Sequence, residues 1–277
     1  MKKSKPTILL LTNFNHKIEG DIDLQEEDIL LADQLRKRFR VIMCHPKDSE
    51  VVEDKVDIVL IRNIWPVFQY EKDWEKIKKR FLRKKLKVYP PLEAKGDMLG
   101  KNHMIELFNS GYPVIPTIDN KKDTGKLPRT ESYFVKPKNK CDAIGAERLS
   151  AFRLNKKSLN GYVIQPYINF KYKVSFYVID GKIICSFSTP KKVSHYKIKR
   201  YNPTKTDKIF VKKFVKWNSL PYGLQRIDAC RTQDGKLLLM ELEDFNPYLQ
   251  LLEWDKSTRT KMLNTMVKSI NNAISCQ

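Results

Sequence analysis

Apolar positions along this 277-residue chain recur at two different spacings. In the first ninety residues, short continuous apolar runs alternate with helical periodicity. Thr7 to Leu11 is such a run, and Glu27 to Phe39 follows with Leu30, Ala32, Leu35 and Phe39 at helical spacing. Arg40 to Cys44 and Val56 to Ile61 read as further strands. Tyr70 to Leu86 reads as a basic amphipathic helix leading into Lys87-Val88-Tyr89. Strands that alternate with helices predict parallel strands joined by crossover helices. Pro90-Pro91 then breaks the pattern.

A second stretch has a different rhythm. Met98 to Asn109 is helical, and Gly111 suits the position just past a helix end. Val114 to Thr117 enters a strand, and Ser132 to Lys136 and Tyr162 to Gln165 are two more. The loop between those two carries Lys138, Asn139, Lys140, Gly145 and Arg148. Beyond residue 169 the pattern is antiparallel: Val174 to Ile179, the turn Asp180-Gly181, then Lys182 to Phe187. A helix around Lys212 to Trp217 precedes another hairpin, and Thr258 to Ile274 closes the chain as a helix. The expected organisation is an α/β unit over 1–91, a second unit over 92–168 and an antiparallel one over 169–277. No internal repeat interrupts it.

The late hairpin carries the candidate chemistry. Arg226-Ile227-Asp228 and Glu241-Leu242-Glu243 flank Asp234-Gly235, a strong signal for a two-residue turn. Counting outward from that turn sets Gln233 opposite Lys236, Asp228 opposite Glu241 and Arg226 opposite Glu243. Side chains alternate along strands, so Arg226, Asp228, Glu241 and Glu243 share one face. Ile227, Ala229, Met240 and Leu242 fall on the other. Facing carboxylates repel unless neutralised, and three together offer the oxygens a hard divalent cation takes. The alternative is a solvated face with one Arg–Glu pair.

Composition sharpens this picture only in part. The chain is 41% hydrophobic, sufficient with this patterning for a folded enzyme rather than a disordered chain. Five scattered cysteines show no zinc spacing and fit a reducing compartment. The apolar run near the start is too short for a signal peptide or membrane span, so the expected location is cytoplasmic, away from membranes. A net charge of +21 raises the prospect of a polyanion or an acidic substrate. The lysines are spread along the chain and no nucleic-acid motif accompanies them, so nucleic acid is not the expected partner.

Four motifs stand in order: Asp97-Met98-Leu99-Gly100-Lys101, Phe134-Val135-Lys136-Pro137, Val163-Ile164-Gln165-Pro166-Tyr167-Ile168, and the hairpin. Together they resemble the ATP-grasp superfamily over essentially the whole chain. The hairpin is most similar to D-alanine–D-alanine ligase. Gly100 to Thr117 resembles bacterial glutathione synthetases and ribosomal-protein glutamate ligases. The resemblance implies an ATP-grasp fold: a Rossmann-like N-terminal unit, then two α+β subdomains clamping ATP. It implies an ATP-dependent carboxylate–amine ligase working through an acyl phosphate. The alternatives are a kinase acting on an alcohol and a basic nucleotide- or polyanion-binding module. Substrates would be small or peptidic carboxylates and amines, acidic ones included, and a homodimer is compatible.

On the same resemblance, Lys101 and Lys136 would meet the nucleotide, with Lys173 nearby. Gln165 to Ile168 would form the hinge, where backbone groups of Pro166, Tyr167 and Ile168 read the adenine edge. Asp228 and Glu241 would hold Mg²⁺, as a pair of ions, with Mn²⁺ a substitute. Arg226 would stabilise the phosphoryl group in transfer. Where the family has Glu-x-Asn this chain has Glu-x-Glu, so either Glu243 or Asn246 completes the metal set. Asn169 to Ile179, just after the hinge, contains no acidic residue to read ribose, the phosphate loop has only Gly145, and Ser175 stands where an arginine is common. His16, His45, His103 and His195 lack ligand spacing, and Cys141 lacks a neighbouring histidine. Trp65, Trp74, Trp217 and Trp254 are expected in the core or at interfaces. Tyr196 to Lys205 reads either as a mobile basic loop near an acidic substrate or as an ordinary solvated loop.

Overall fold

The computed structural model describes residues 4–14, 17–18, 22–64, 71–96, 100–140, 144–191 and 198–275. Asp97 to Leu99, Trp65, His16, His195, Cys141 and Tyr196-Lys197 therefore lie outside the described residues.

In chain order come β1 (Thr7–Leu11), α1 (Leu24–Arg36), β2 (Arg40–Cys44), β3 (Ile58–Ile61), α2 (Glu71–Arg83) and β4 (Val88–Tyr89). The four strands pair in parallel in the order β2-β1-β3-β4. Every residue of β1 and β3 is buried. Leu31, Ala32 and Leu35 of α1 pack with Ile8, Leu10, Ile58 and Leu60. Trp74, Ile77 and Phe81 of α2 pack with Leu9, Leu11, Val59 and Ile61. A parallel strand covered on both faces needs a continuous apolar run, which is why alternation is missing there.

Next come α3 (Asn102–Asn109), β5 (Ser132–Pro137), β6 (Glu147–Ser150), α4 (Ala151–Lys156) and β7 (Tyr162–Pro166), with an antiparallel sheet in the order β6-β5-β7. The sequence pattern left β6 and α4 inside a loop. Both are short, and they present mostly exposed side chains with Leu149 and Leu154 turned into a small core. The expected strand Val114 to Thr117 makes only single bridges, Val114 with Leu239 and, just beyond it, Ile118 with Ile164. It ties two sheets together instead of extending either.

The last sheet is made by β8 (Phe170–Ile179), β9 (Lys182–Pro190), β10 (Lys199–Arg200), β11 (Leu224–Thr232) and β12 (Leu237–Glu243), in the order β10-β9-β8-β11-β12. α5 (Lys205–Asn218) lies between β10 and β11, and α6 (Lys256–Ser275) closes the described chain. α5 begins earlier than its apolar pattern because Thr204 and Asp207 form a reciprocal capping box. One face of the sheet, through Val174, Phe176, Val178, Ile227 and Ala229, packs on α3 and α5. The opposite face is covered at its Tyr177–Ile179 end by α6 and elements of the first sheet. Its other end, around Lys173 and Ser175, is only half-buried. Of the expected basic loop, Lys199 and Arg200 are a strand paired with Phe187 and Ser188, and Tyr201 bonds Asp207 at 2.6 Å. That part is ordered structure, not a free loop.

The hairpin register departs from the count in two places. Thr232 N–H donates to Lys236 O at 2.9 Å and Arg231 faces Leu237, so the connection is a three-residue loop, Gln233 to Gly235. Gln233 does not face Lys236. Gly235 sits at φ +86°, the left-handed position such loops favour for glycine. A bulge between Asp228 and Ala229 then leaves Met240 as the extra residue. Leu239, not Met240, takes the buried core seat. The two shifts cancel, so Asp228 faces Glu241 and Arg226 faces Glu243 after all.

Candidate active site

Cross-strand register builds the site on the open face of the last sheet. Lys173, Ser175 and Tyr177 of β8 face Cys230, Asp228 and Arg226 of β11, so these side chains run in two rows on one face. β12 adds Glu243 opposite Arg226 and Glu241 opposite Asp228. Oxygens of Asp228, Glu241 and Glu243 all lie within 4.8 Å of one another, each residue half-buried. That donor set, three carboxylates without thiol or imidazole, suits a hard divalent cation.

Arg226 is the counter-ion of this cluster. Its Nη2 lies 2.8 Å from Asp228 Oδ2 and 2.5 Å from Glu243 Oε1. Its Nη1 donates to Tyr248 O at 2.8 Å, and Tyr248 N–H donates to Glu243 Oε2 at 3.1 Å. Burial works against the charge on Arg226, and Asp228 and Glu243 outweigh it, holding the guanidinium firmly protonated. Glu243 thus stands with Asp228 and Glu241. Asn246 follows in a segment whose neighbours turn elsewhere, Asp244 to the backbone of Lys95 and Gly96, Phe245 to the Trp74 ring at 5.1 Å.

Lys136 lies within electrostatic reach of Glu241, Lys101 and Lys173. Lys136 projects from β5 over the Phe134 ring, 5.3 Å from its centroid. Burial pulls its pKa below the ordinary lysine value. Lys101 and Lys173 pull the same way, and Glu241 opposes them. Lys101 follows Gly100, whose backbone at φ +67° runs so close to Lys138 that a Cβ would stand 2.6 Å from Lys138 O. Lys101 N–H donates to Lys138 O at 3.1 Å, and its ammonium bonds the Lys140 carbonyl. The loop of Lys138 to Lys140 is therefore laid against the start of α3.

In the segment expected to be the hinge, most polar groups are already engaged. Gln165 is buried and spends its amide on Thr117 Oγ1 at 2.9 Å, and Tyr167 N–H donates to Ser132 O at 3.0 Å. Pro166 has no N–H. Ile168 is left as the one of the three whose N–H makes no hydrogen bond among the described residues. The Tyr167 ring carries Arg148 stacked 3.7 Å from its centroid, with Lys191 at 5.3 Å. His103 caps locally, its Nδ1 2.9 Å from Gly100 O, and Trp74 and Trp254 are buried as expected.

Two supporting groups were missed. Asp244 is fully buried and accepts from Lys95 N–H, Gly96 N–H and Asn218 Nδ2, fixing the chain just before residues 97–101. Nothing local in the sequence distinguishes it from its acidic neighbours. Arg62, also buried, pairs with Glu27 at 2.8 Å and Asp28 at 3.2 Å and donates to Pro247 O at 2.9 Å. Glu27 also accepts from Leu249 N–H and Leu251 N–H. Arg62 did have a signal, an arginine directly after four buried apolar residues.

No family model matches the sequence, and no curated protein is significantly similar to it. Solved structures are. A D-cycloserine synthetase, DcsG, superposes with a TM-score of 0.74 at 17% identity, over 95% of this chain and 99% of its own. The ATP-grasp ligase PsnB complexed with minimal precursor gives 0.67 at 13% identity, over 96% of this chain and 100% of its own. This chain has the ATP-grasp fold. D-alanine–D-alanine ligase from Bacillus anthracis complexed with ATP gives 0.64 at 13% identity, over 98% of this chain and 99% of that one. Identities this low establish the ATP-grasp fold and leave the chemistry to the side chains. Among the described residues, no helix is long and apolar enough to cross a membrane.

Proposed function

We propose that the protein is an ATP-dependent carboxylate–amine ligase: ATP phosphorylates a carboxylate, and an amine displaces phosphate from the acyl phosphate to form an amide. The observation that carries this reading is the face on which Arg226, Asp228, Glu241 and Glu243 meet, with Lys173 on the same face and Lys136 and Lys101 in electrostatic reach. Asp228, Glu241 and Glu243 would hold Mg²⁺, which neutralises phosphate charge when bound. Lys101 and Lys136 would bind phosphate oxygens, Lys173 supplying the charge that Ser175 does not. Ile168 N–H would meet the adenine edge. Arg226, fixed by two carboxylates and the Tyr248 carbonyl, would offer its remaining Nη1 N–H and its charge to the phosphoryl oxygens in transfer. Structural neighbours that take a peptide precursor or D-alanine support small or peptidic substrates. The test is ADP release screened over pairs of amino acids and small carboxylates, with mass detection of product. An amide with ADP and phosphate is expected. A phosphoester would make the protein a kinase, and nucleotide binding without either product would make it a binding module.

A further inference from the structure

The rows of the open face have a direction. Lys173 and Cys230 lie at one end, Ser175 and Asp228 follow, and then Tyr177 and Arg226. Beyond Arg226 the polar chain continues off the sheet. Tyr177 Oη donates to Gln250 Oε1 at 2.8 Å, and Gln250 Nε2 donates to Glu253 Oε2 at 3.0 Å. A second route reaches the same carboxylate. Tyr248, whose backbone is held by both Arg226 and Glu243, donates through its hydroxyl to Glu253 Oε1 at 3.2 Å. Glu253 is therefore tied to Arg226 and Glu243 through Tyr248, on a scaffold shared with the metal carboxylates.

What Glu253 lacks is a cation in direct contact. It is half-buried, its two bonds come from neutral donors, and no lysine, arginine or histidine among the described residues lies within 4.0 Å of it. This is notable in a chain with 53 lysines and arginines against 32 acids. The nearby start of α6 does not explain it, because Asp255 caps that helix, accepting from Thr258 N–H at 2.9 Å and Ser257 Oγ at 2.6 Å. Burial holds the Glu253 carboxyl above its ordinary value, with the Tyr248 and Gln250 bonds and the more distant Arg226 charge opposing. A partly desolvated carboxylate with neutral hydrogen-bond donors and no cation in direct contact is stabilised by one brought to it.

We infer that Glu253 binds the ammonium group of the amine substrate, beside the segment that Arg226 and Glu243 hold. This rests on the ligase reading, and it narrows the acceptor class to amines that arrive protonated. Tyr248 and Gln250 are positioning residues that aim the carboxylate. The full chain, with Mg²⁺ and AMPPNP bound, would be titrated at pH 7.5 with ethylammonium chloride, and with ethanol as the neutral isostere, by saturation-transfer NMR. Ethylammonium should bind the wild type and weaken about tenfold in Glu253→Gln, the scale of one charge-assisted hydrogen bond. Ethanol should not distinguish the two proteins. A second reading needs no variant: the Glu253 carboxyl ¹³C resonance should move with ethylammonium and not with ethanol. Equal affinity in wild type and variant, or an unmoved resonance, overturns the inference while leaving the ligase reading intact. Failure of AMPPNP to bind at all would overturn that reading itself.

Discussion

Arg226 and Glu243 face each other across the β11–β12 hairpin, with Nη2 2.5 Å from the carboxylate. The same guanidinium holds Asp228, so one cation balances two members of a three-carboxylate cluster. Its structural and catalytic roles are separable by experiment. Arg226→Ala should lower the melting temperature without metal, because like charges are left facing each other, and Mg²⁺ should restore part of the loss. Single-turnover ADP formation at saturating ATP should slow by about a hundredfold or more. Arg226→Lys should recover only part of that rate, since an ammonium cannot reproduce the forked contact. A rate within a few-fold of wild type would reduce Arg226 to a counter-ion.

Asp228→Asn and Glu241→Gln should each abolish turnover and leave the fold intact. Glu241→Gln removes a charge with no cation in contact among the described residues, so its melting without metal should hold or rise, whereas Asp228→Asn also gives up the ion pair with Arg226 and should melt somewhat lower while staying folded. Circular dichroism melts beside an ADP assay decide it, and wild-type activity in either variant would sink the metal assignment.

Lys136→Ala should weaken ATP binding by about 1.5–3 kcal/mol, the scale of a charge-assisted hydrogen bond. Its pKa is already lowered by burial and by Lys101 and Lys173, so the charge is more useful to a phosphate than to the apo protein. Calorimetry with AMPPNP reads the loss. An unchanged affinity would mean that Lys136 merely rests its stem on Phe134.

Asp244→Ala should be among the more damaging substitutions near the site, costing about 3 kcal/mol, because two backbone N–H groups and the Asn218 amide lose a buried acceptor together. Gly96→Ala attacks the same junction by another route, since its Cβ would stand 2.5 Å from Leu242 O. Urea melts of both variants check the prediction.

The Glu27 carboxyl is pushed up to about 7 by burial, with Arg62 and the Leu249 and Leu251 amides opposing and Asp28 assisting. An acid whose pKa is higher folded than unfolded takes up a proton on folding. Its contribution is fully present below about pH 4.5 and is lost as pH rises to about 7. Stability of the wild type should fall across that window. Glu27→Gln should flatten the slope, and an unchanged slope would place the proton elsewhere.

The fold was legible where burial is periodic. β1, β3, α2 and the β8–β9 hairpin follow from runs and spacings that only a covered strand or a half-covered helix produces. The hairpin pairing of Asp228 with Glu241 was reached through a turn one residue too short, corrected by a bulge one residue long. Asp-Gly signals a turn but does not distinguish a two-residue loop from a three-residue one. Supporting groups were hidden for another reason. Asp244 meets Gly96 across 148 residues, and Glu27 meets Leu251 across 224. Only a folded chain makes those partners, and no local pattern encodes them. β6 and α4 escaped because elements that short bury too few side chains to leave a period.

The Glu27–Arg62–Pro247 contact has a consequence for exchanging parts. The first 64 residues do not end at their own sheet, since Arg62 holds Pro247 and Glu27 holds the backbone of Leu249 and Leu251. Those bonds shape the segment that runs from Glu243 to Glu253. A chimera that imports a foreign N-terminal unit to change substrate must import residues 244–253 with it, or the graft will join two halves cut to different templates.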